Sequence, residues 1–173
     1  MTLKDVSVRK ARTGDVPRIL EVMQPLVENR ILLGKDPVTV YETIQQFYVA
    51  EDASGELLGF GALHVMWEHL GEVRTLAVVP EALGKGVGHA LVERIEADAI
   101  ELGLKQLVCL TFEVEFFARH GFQVLPAEPG EFVAEAYEVL LSSRDEGVAE
   151  FLDLARVRPN TLGNTRMVKT VAQ

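Results

Sequence analysis

Residues 73–95 read VRTLAVVPEALGKGVGHALVERI: an apolar run with the stamp of a strand, a turn carrying three glycines, then a helical pattern. This succession puts a helix N-terminus directly beyond the end of a strand. The first backbone N–H groups of a helix have no partner within it, and a turn free of Cβ atoms gathers them into a nest for an anion. Gly84, Gly86 and Gly88 permit both the turn and the close approach of a ligand. Phosphate is the expected occupant. Two better-known phosphate patterns do not fit. The dinucleotide pattern GxGxxG, begun at Gly84, needs glycine where His89 stands, and the P-loop needs Ser or Thr where Lys85 is followed by Gly86.

The rest of the chain supplies a mixed α/β setting. Val6 to Ala11 alternates as a strand does, and Thr13, Gly14 and Asp15 offer caps to a helix carrying Ile19, Leu20, Met23 and Val27 at helical spacing. After the break GKDP at 34–37, Thr39 and Glu42 fit a capping box opening a short helix through Gln46. FYVAED (47–52) and LLGFGALHVMW (57–67) read as a hairpin about a turn at 53–56, followed by the strand GEVRTLAVV. A helix from Val87 to Leu102, the strand KQLVCLTF, the helix VEFFARH closed by Gly121 and the strand FQVL come next. Residues 126–155 read as helical and loop-like, and TRMVKTV near the end as an edge or closing strand.

At 173 residues the chain is expected to form one domain, 1–173. Its 17 basic and 26 acidic residues give a net charge of −9, which argues against non-specific nucleic-acid binding. Cys109 is the only cysteine, so no internal disulfide forms, and in LVCLTF it reads as a buried apolar residue. The start lacks a signal-peptide h-region, and GFGALHVMW falls short of the ~20 residues of a membrane helix. A cytoplasmic protein with no membrane partner is expected.

A strand, glycine turn and helix, followed by a strand and an aromatic helix closed by Gly121 and Phe122, resemble the GCN5-related N-acetyltransferase (GNAT) family. Gly86 and Gly88 match the family's turn, while Leu83 stands at its Gln/Arg position. The resemblance implies a single α/β (α+β) domain whose central mixed, mostly antiparallel sheet is splayed at its middle and flanked by helices. It implies acetyl-CoA as cosubstrate and no metal. The coenzyme would lie along Leu76, Ala77 and Val78, on the turn Leu83, Gly84, Lys85, Gly86, Val87, Gly88 and His89, and near Phe117. A backbone N–H of the strand would polarise the thioester. Phe117 takes the place of a family tyrosine and has no proton to give, so the general acid is unassigned.

Glu72, opening the same strand, is the candidate base for the acceptor amine, with His64 and His69 as rivals. GALHVMW with GEVRTLAV, LTFEVEFFARHGF and GVAEFLDLARVRPNTLGNTRMV together look like the short stand-alone bacterial N-acetylglutamate synthases. L-Glutamate is then the implied acceptor, and the resemblance also implies a homo-oligomer, a dimer. A dicarboxylate needs cationic or multi-donor anchors, and Arg74, Lys35, Arg30, Asn164 and Arg166 are the candidates. Where long synthases carry an arginine after the strand ending LT, this chain has Phe112 and Glu113, which leaves glutamine or another amine open as acceptor. A non-catalytic acetyl-CoA sensor of the same fold is the third reading.

Overall fold

Seven strands line up in the order β1-β2-β3-β4-β5-β7-β6 in a computed structural model that describes residues 6–154 and 163–172. They are β1 (Ser7–Lys10), β2 (Phe47–Glu51), β3 (Leu57–Trp67), β4 (Leu70–Val78), β5 (Gln106–Thr111), β6 (Gln123–Val124) and β7 (Thr165–Thr170). β2 and β3 form the expected hairpin. Asp52 shapes its turn by accepting the N–H groups of Ser54 and Glu56 at 2.8 and 3.0 Å, and Gly55 takes the left-handed conformation. Both strands are buried almost throughout, so apolar layers cover both faces of the sheet there.

β4 and β5 are parallel, as a helical crossover requires, whereas their neighbours are antiparallel. They pair only where Leu70, Gly71 and Glu72 meet Gln106, Leu107 and Val108, and beyond Glu72 they part. The sheet is therefore mixed, mostly antiparallel and splayed at its middle. β4 also bulges: Phe60 pairs with Ala77 and Ala62 with Arg74, so β4 spends one residue more than β3. Thr75, inside the bulge, has φ of 57°, a left-handed conformation unusual for a β-branched residue.

The helices are α1 (Val16–Glu28), α2 (Pro37–Glu42), α3 (Val87–Glu101), α4 (Val114–Arg119), α5 (Pro129–Phe132), α6 (Tyr137–Leu140) and α7 (Glu146–Phe151). Two expectations need correction. α2 starts at Pro37 behind Asp36 rather than at a box on Thr39, because proline's fixed φ suits a first helical position. It stops at Glu42, and Ile44–Gln46 is a separate 3-10 turn. The TRMVKTV strand is interior, since two-residue β6 pairs on its outer side and takes the edge. One core cluster joins α1, α2 and α3 to β2, β3 and β4. A second, around Met66, Leu70, Val108, Leu140, Val148 and Phe151, holds α5, α6 and α7. Among the described residues no helix is long and apolar enough to cross a membrane.

Candidate active site

Gly84 and Gly86 adopt φ of 72° and 82°, and Gly86 is the N-cap of α3. The first intrahelical bond runs from the Ala90 N–H to the Gly86 carbonyl at 3.0 Å. The N–H groups of Val87, Gly88 and His89 thus have no helical partner, and no side chain caps them. Gly88 serves space rather than turning, since a Cβ there would stand 3.2 Å from the Phe116 ring. His89 packs on Phe116 with ring centroids 5.0 Å apart, and its Nδ1 lies 2.7 Å from His120 Nε2. Leu83 is exposed, and Phe117 is buried against Phe116 and Phe122.

Beyond this turn, the gap between β4 and β5 opens into a cleft. Glu72, Arg74, Thr75 and Leu76 line it from β4, and Leu110 and Thr111 from β5. Lys35, Gly147, Glu150 and Asn164 also line it. Glu72 is 4% exposed. Its Oε2 accepts the Arg74 Nε–H at 3.0 Å and a second bond from Arg74 Nη2. No described residue bonds Oε1, and the structure has no buried side-chain oxygen without a partner among the described residues, so Oε1 opens to the cleft.

Arg74 is committed on both flanks. Besides Glu72, its Nη1 reaches both carboxylate oxygens of Asp145 at 3.0 Å. Burial opposes the guanidinium's charge, but Glu72 and Asp145 outweigh it and raise the Arg74 pKa. Burial likewise opposes the Asp145 charge, yet Arg74 and the Val148 N–H hold the carboxyl at about 2. Asp145 is also the N-cap of α7, accepting that Val148 N–H at 2.9 Å.

The other candidates scatter. Lys35 lines the cleft and forms no ion pair or hydrogen bond with any described residue, and burial, then Arg74, lowers its pKa. Arg30 is exposed, has φ of 58° and terminates α1; it is not among the described residues lining the cleft. Arg166 points at α7, donating to the Phe151 and Glu150 carbonyls at 2.8 and 3.2 Å. Asn164 lines the cleft beside Glu150. His64 sits opposite Glu72 in the β3–β4 ladder with Nδ1 3.1 Å from Gln46 Oε1, and burial, then Arg74, lowers its pKa. His69 lies 3.5 Å from Glu135, away from the cleft. Burial pushes the Cys109 thiol up, as fits an inert core position.

Sequence reasoning missed Asp145, Gly147 and the left-handed Thr75. Asp145 ahead of the apolar run from Val148 has the form of an N-cap and could have been found. Its ion pair with a residue 71 positions away could not.

Comparison with known proteins agrees with this geometry. The acetyltransferase (GNAT) domain family matches residues 43–124. An amino-acid acetyltransferase of Mycobacterium tuberculosis is 50% identical over 163 residues, covering 93% of this chain and 92% of that protein. The crystal structure of Rv2747 from Mycobacterium tuberculosis, in complex with CoA and NLQ, superposes with a TM-score of 0.87 at 49% identity, over 95% of this chain and 98% of that one. The N-acetylglutamate synthase of Neisseria gonorrhoeae, complexed with coenzyme A and N-acetyl-glutamate, gives a TM-score of 0.76 at 27% identity, over 97% of this chain but 35% of that one. The chain belongs to the GNAT acetyltransferase family, in the branch of the amino-acid acetyltransferases.

Proposed function

We propose that this chain transfers the acetyl group of acetyl-CoA to the α-amino group of L-glutamate, the entry step of arginine biosynthesis. One observation carries the reading: a cleft at the parting of β4 and β5 is lined by Glu72, whose Oε1 is open to it, and by an uncommitted cation, Lys35.

The residues present fit the coenzyme. The free N–H groups of Val87, Gly88 and His89 suit its pyrophosphate, and the absence of a Cβ at Gly84 and Gly86 leaves the approach open. Acetyl-CoA supplies an activated acyl carbon and a thiolate leaving group. The bulged segment of β4 supplies backbone N–H donors for the thioester oxygen; a preorganised donor of this kind contributes ~3 kcal/mol to the transition state. Lys35 anchors an acceptor carboxylate. Glu72 Oε1 takes a proton from the acceptor ammonium, directly or through water, leaving the lone pair to attack the acyl carbon; as the C–S bond breaks, the new amide nitrogen gives up its second proton to solvent. Phe117 gives no proton, so the thiolate takes its proton from solvent or from a hydroxyl elsewhere in the site.

A second acceptor, L-glutamine, is favoured by one detail. The Arg74 guanidinium is already closed by two carboxylates, so among the described lining residues Lys35 is the cation that remains to meet an acceptor carboxylate. A monoanionic amino acid needs one such anchor and a dianionic one needs two. Thiol release from acetyl-CoA across the twenty amino acids tests both. Turnover with glutamate above all others supports the first reading, and a higher kcat/KM with glutamine supports the second. Acetyl-CoA binding without turnover on any amino acid contradicts both and leaves a coenzyme sensor.

A further inference from the structure

We infer that the first turn of α7 is a positioning device: Asp145 and Gly147 fix the Arg74 guanidinium, and through it aim Glu72 Oε1 into the cleft. The inference rests on the acetyltransferase reading above for the role of Glu72, but the clamp itself is a matter of geometry.

Gly147 is the telling residue. It lies in a helix with an ordinary φ, so its backbone does not call for glycine, and alanine would favour the helix. What excludes a side chain is the neighbour: a Cβ at 147 would lie 2.9 Å from Arg74 Cζ and Nη2 and 3.1 Å from Asp145 Oδ1. The glycine makes room for the guanidinium. Asp145 then holds that group through two bonds of 3.0 Å, while its own Oδ1 caps the helix through the Val148 N–H at 2.9 Å. Helix position and guanidinium position are thereby locked together. Glu72 stands on the other flank of the same planar group, which receives it through Nε and Nη2. The far end of α7 is pinned separately, by Arg166 on the Phe151 and Glu150 carbonyls. Two arginines of the sheet therefore seat α7 from both ends, and Gly147 and Glu150 of that helix form part of the cleft wall. Arg74 and Arg166, attractive as substrate anchors from sequence, hold a wall and a base in place instead.

The guanidinium is the end of a flexible side chain, so a Cβ at 147 displaces it without unseating the helix. Gly147→Ala is expected to keep the fold and the acetyl-CoA KM while lowering kcat by roughly ten- to a hundredfold, the cost of misplacing a catalytic group by about an ångström. In an Arg74→Lys background, where no planar fork occupies that space, the same alanine should change kcat by no more than about twofold. Asp145→Asn preserves the cap and removes the charge, and its kcat should fall as well. A second readout does not depend on turnover. The Arg74 Nε–H resonance should be protected from solvent exchange in the wild type and lose that protection in Gly147→Ala. Equal effects of Gly147→Ala in both backgrounds, or an Asp145→Asn enzyme with unaltered kcat, would overturn the inference. If the wild type releases no thiol with any amino acid, the acetyltransferase reading fails, and the Arg74 resonance alone decides the clamp: unchanged protection in Gly147→Ala refutes it.

Discussion

The two sides of the cleft are built on different plans. The side proposed for the coenzyme is a continuous stretch of chain, from the bulge in β4 through Gly84 and Gly86 to the first turn of α3, and what it offers a ligand is backbone N–H groups. The side proposed for the acceptor is a meeting of side chains from Lys35, from Glu72 and Arg74, and from Asp145, Glu150 and Asn164, with Gly147 leaving room among them, which no short stretch contains. A backbone nest needs only local geometry and tolerates many sequences around its glycines. A charge constellation depends on tertiary packing and on each charge finding its counter-charge. A coenzyme side of this kind can stay constant while the acceptor side changes, and in this chain Arg74 is committed to Glu72 and Asp145.

The contrast predicts separable kinetic defects. Lys35→Met removes the cation expected to meet an acceptor carboxylate; losing a charge-assisted hydrogen bond of about 1.5–3 kcal/mol should raise the acceptor KM by roughly ten- to a hundredfold and leave the acetyl-CoA KM in place. Parallel rises in both constants would erase the distinction between the two sides. Gly86→Ala is the mirror experiment. Forcing an L-residue to φ of 82° costs about 1 kcal/mol, so the acetyl-CoA KM should rise about fivefold with the acceptor KM unmoved.

Smaller effects concern protonation. Asp145, held at about 2 against Arg74, is depressed below the ordinary ~3.9 of an unfolded aspartate. A depressed carboxylate stabilises the fold above its unfolded pKa, and the contribution is lost as pH falls through the folded one. Chemical denaturation followed from pH 5 down to ~2 should show this loss in the wild type and a flatter profile in Asp145→Asn. A matching slope in the two proteins would mean that the Asp145–Arg74 pair adds nothing to folding. His64 should titrate below its ordinary value because burial, and then Arg74, disfavour the imidazolium. With a lowered folded pKa, its contribution to stability declines as pH drops below ~6.5. Its ring should carry the proton on Nδ1, toward Gln46 Oε1, and nitrogen chemical shifts would read both the tautomer and the titration.

How much was readable in advance follows the same division. The strands, the hairpin, the turn and the crossover helix announce themselves through apolar runs, periodicity and glycines, all of them local. The parting of β4 and β5 came from family resemblance, because nothing in the period of either strand says where pairing stops. At α2 a plausible Thr39–Glu42 box lost to Pro37, whose ring already fixes the first helical φ. The strand FQVL could be read from the sequence, but its pairing on the outer side of β7, which makes β7 interior, could not, since two paired residues carry no register signal. Arg74 stands out in the sequence, but its two carboxylate partners do not both show there. Its second carboxylate lies 71 residues on, in a segment that reads as helical and loop-like but whose weak periodicity does not set the bounds of its three short helices. Arg30 shows the converse, a cation in an attractive loop that the structure places just past the end of α1 and outside the described cleft lining.

The proposed chemistry depends on Glu72 as the base that frees the acceptor amine. Its most direct test is kcat for thiol release by Glu72→Gln against the wild type, with the preferred amino acid saturating and acetyl-CoA binding checked separately. Glutamine keeps the shape and can still meet Arg74, but it cannot take a proton. The expected result is a loss of at least about a hundredfold in kcat with the acetyl-CoA KM nearly unchanged. A Glu72→Gln enzyme that turns over at the wild-type rate would contradict it, and the base would have to be sought elsewhere in the cleft.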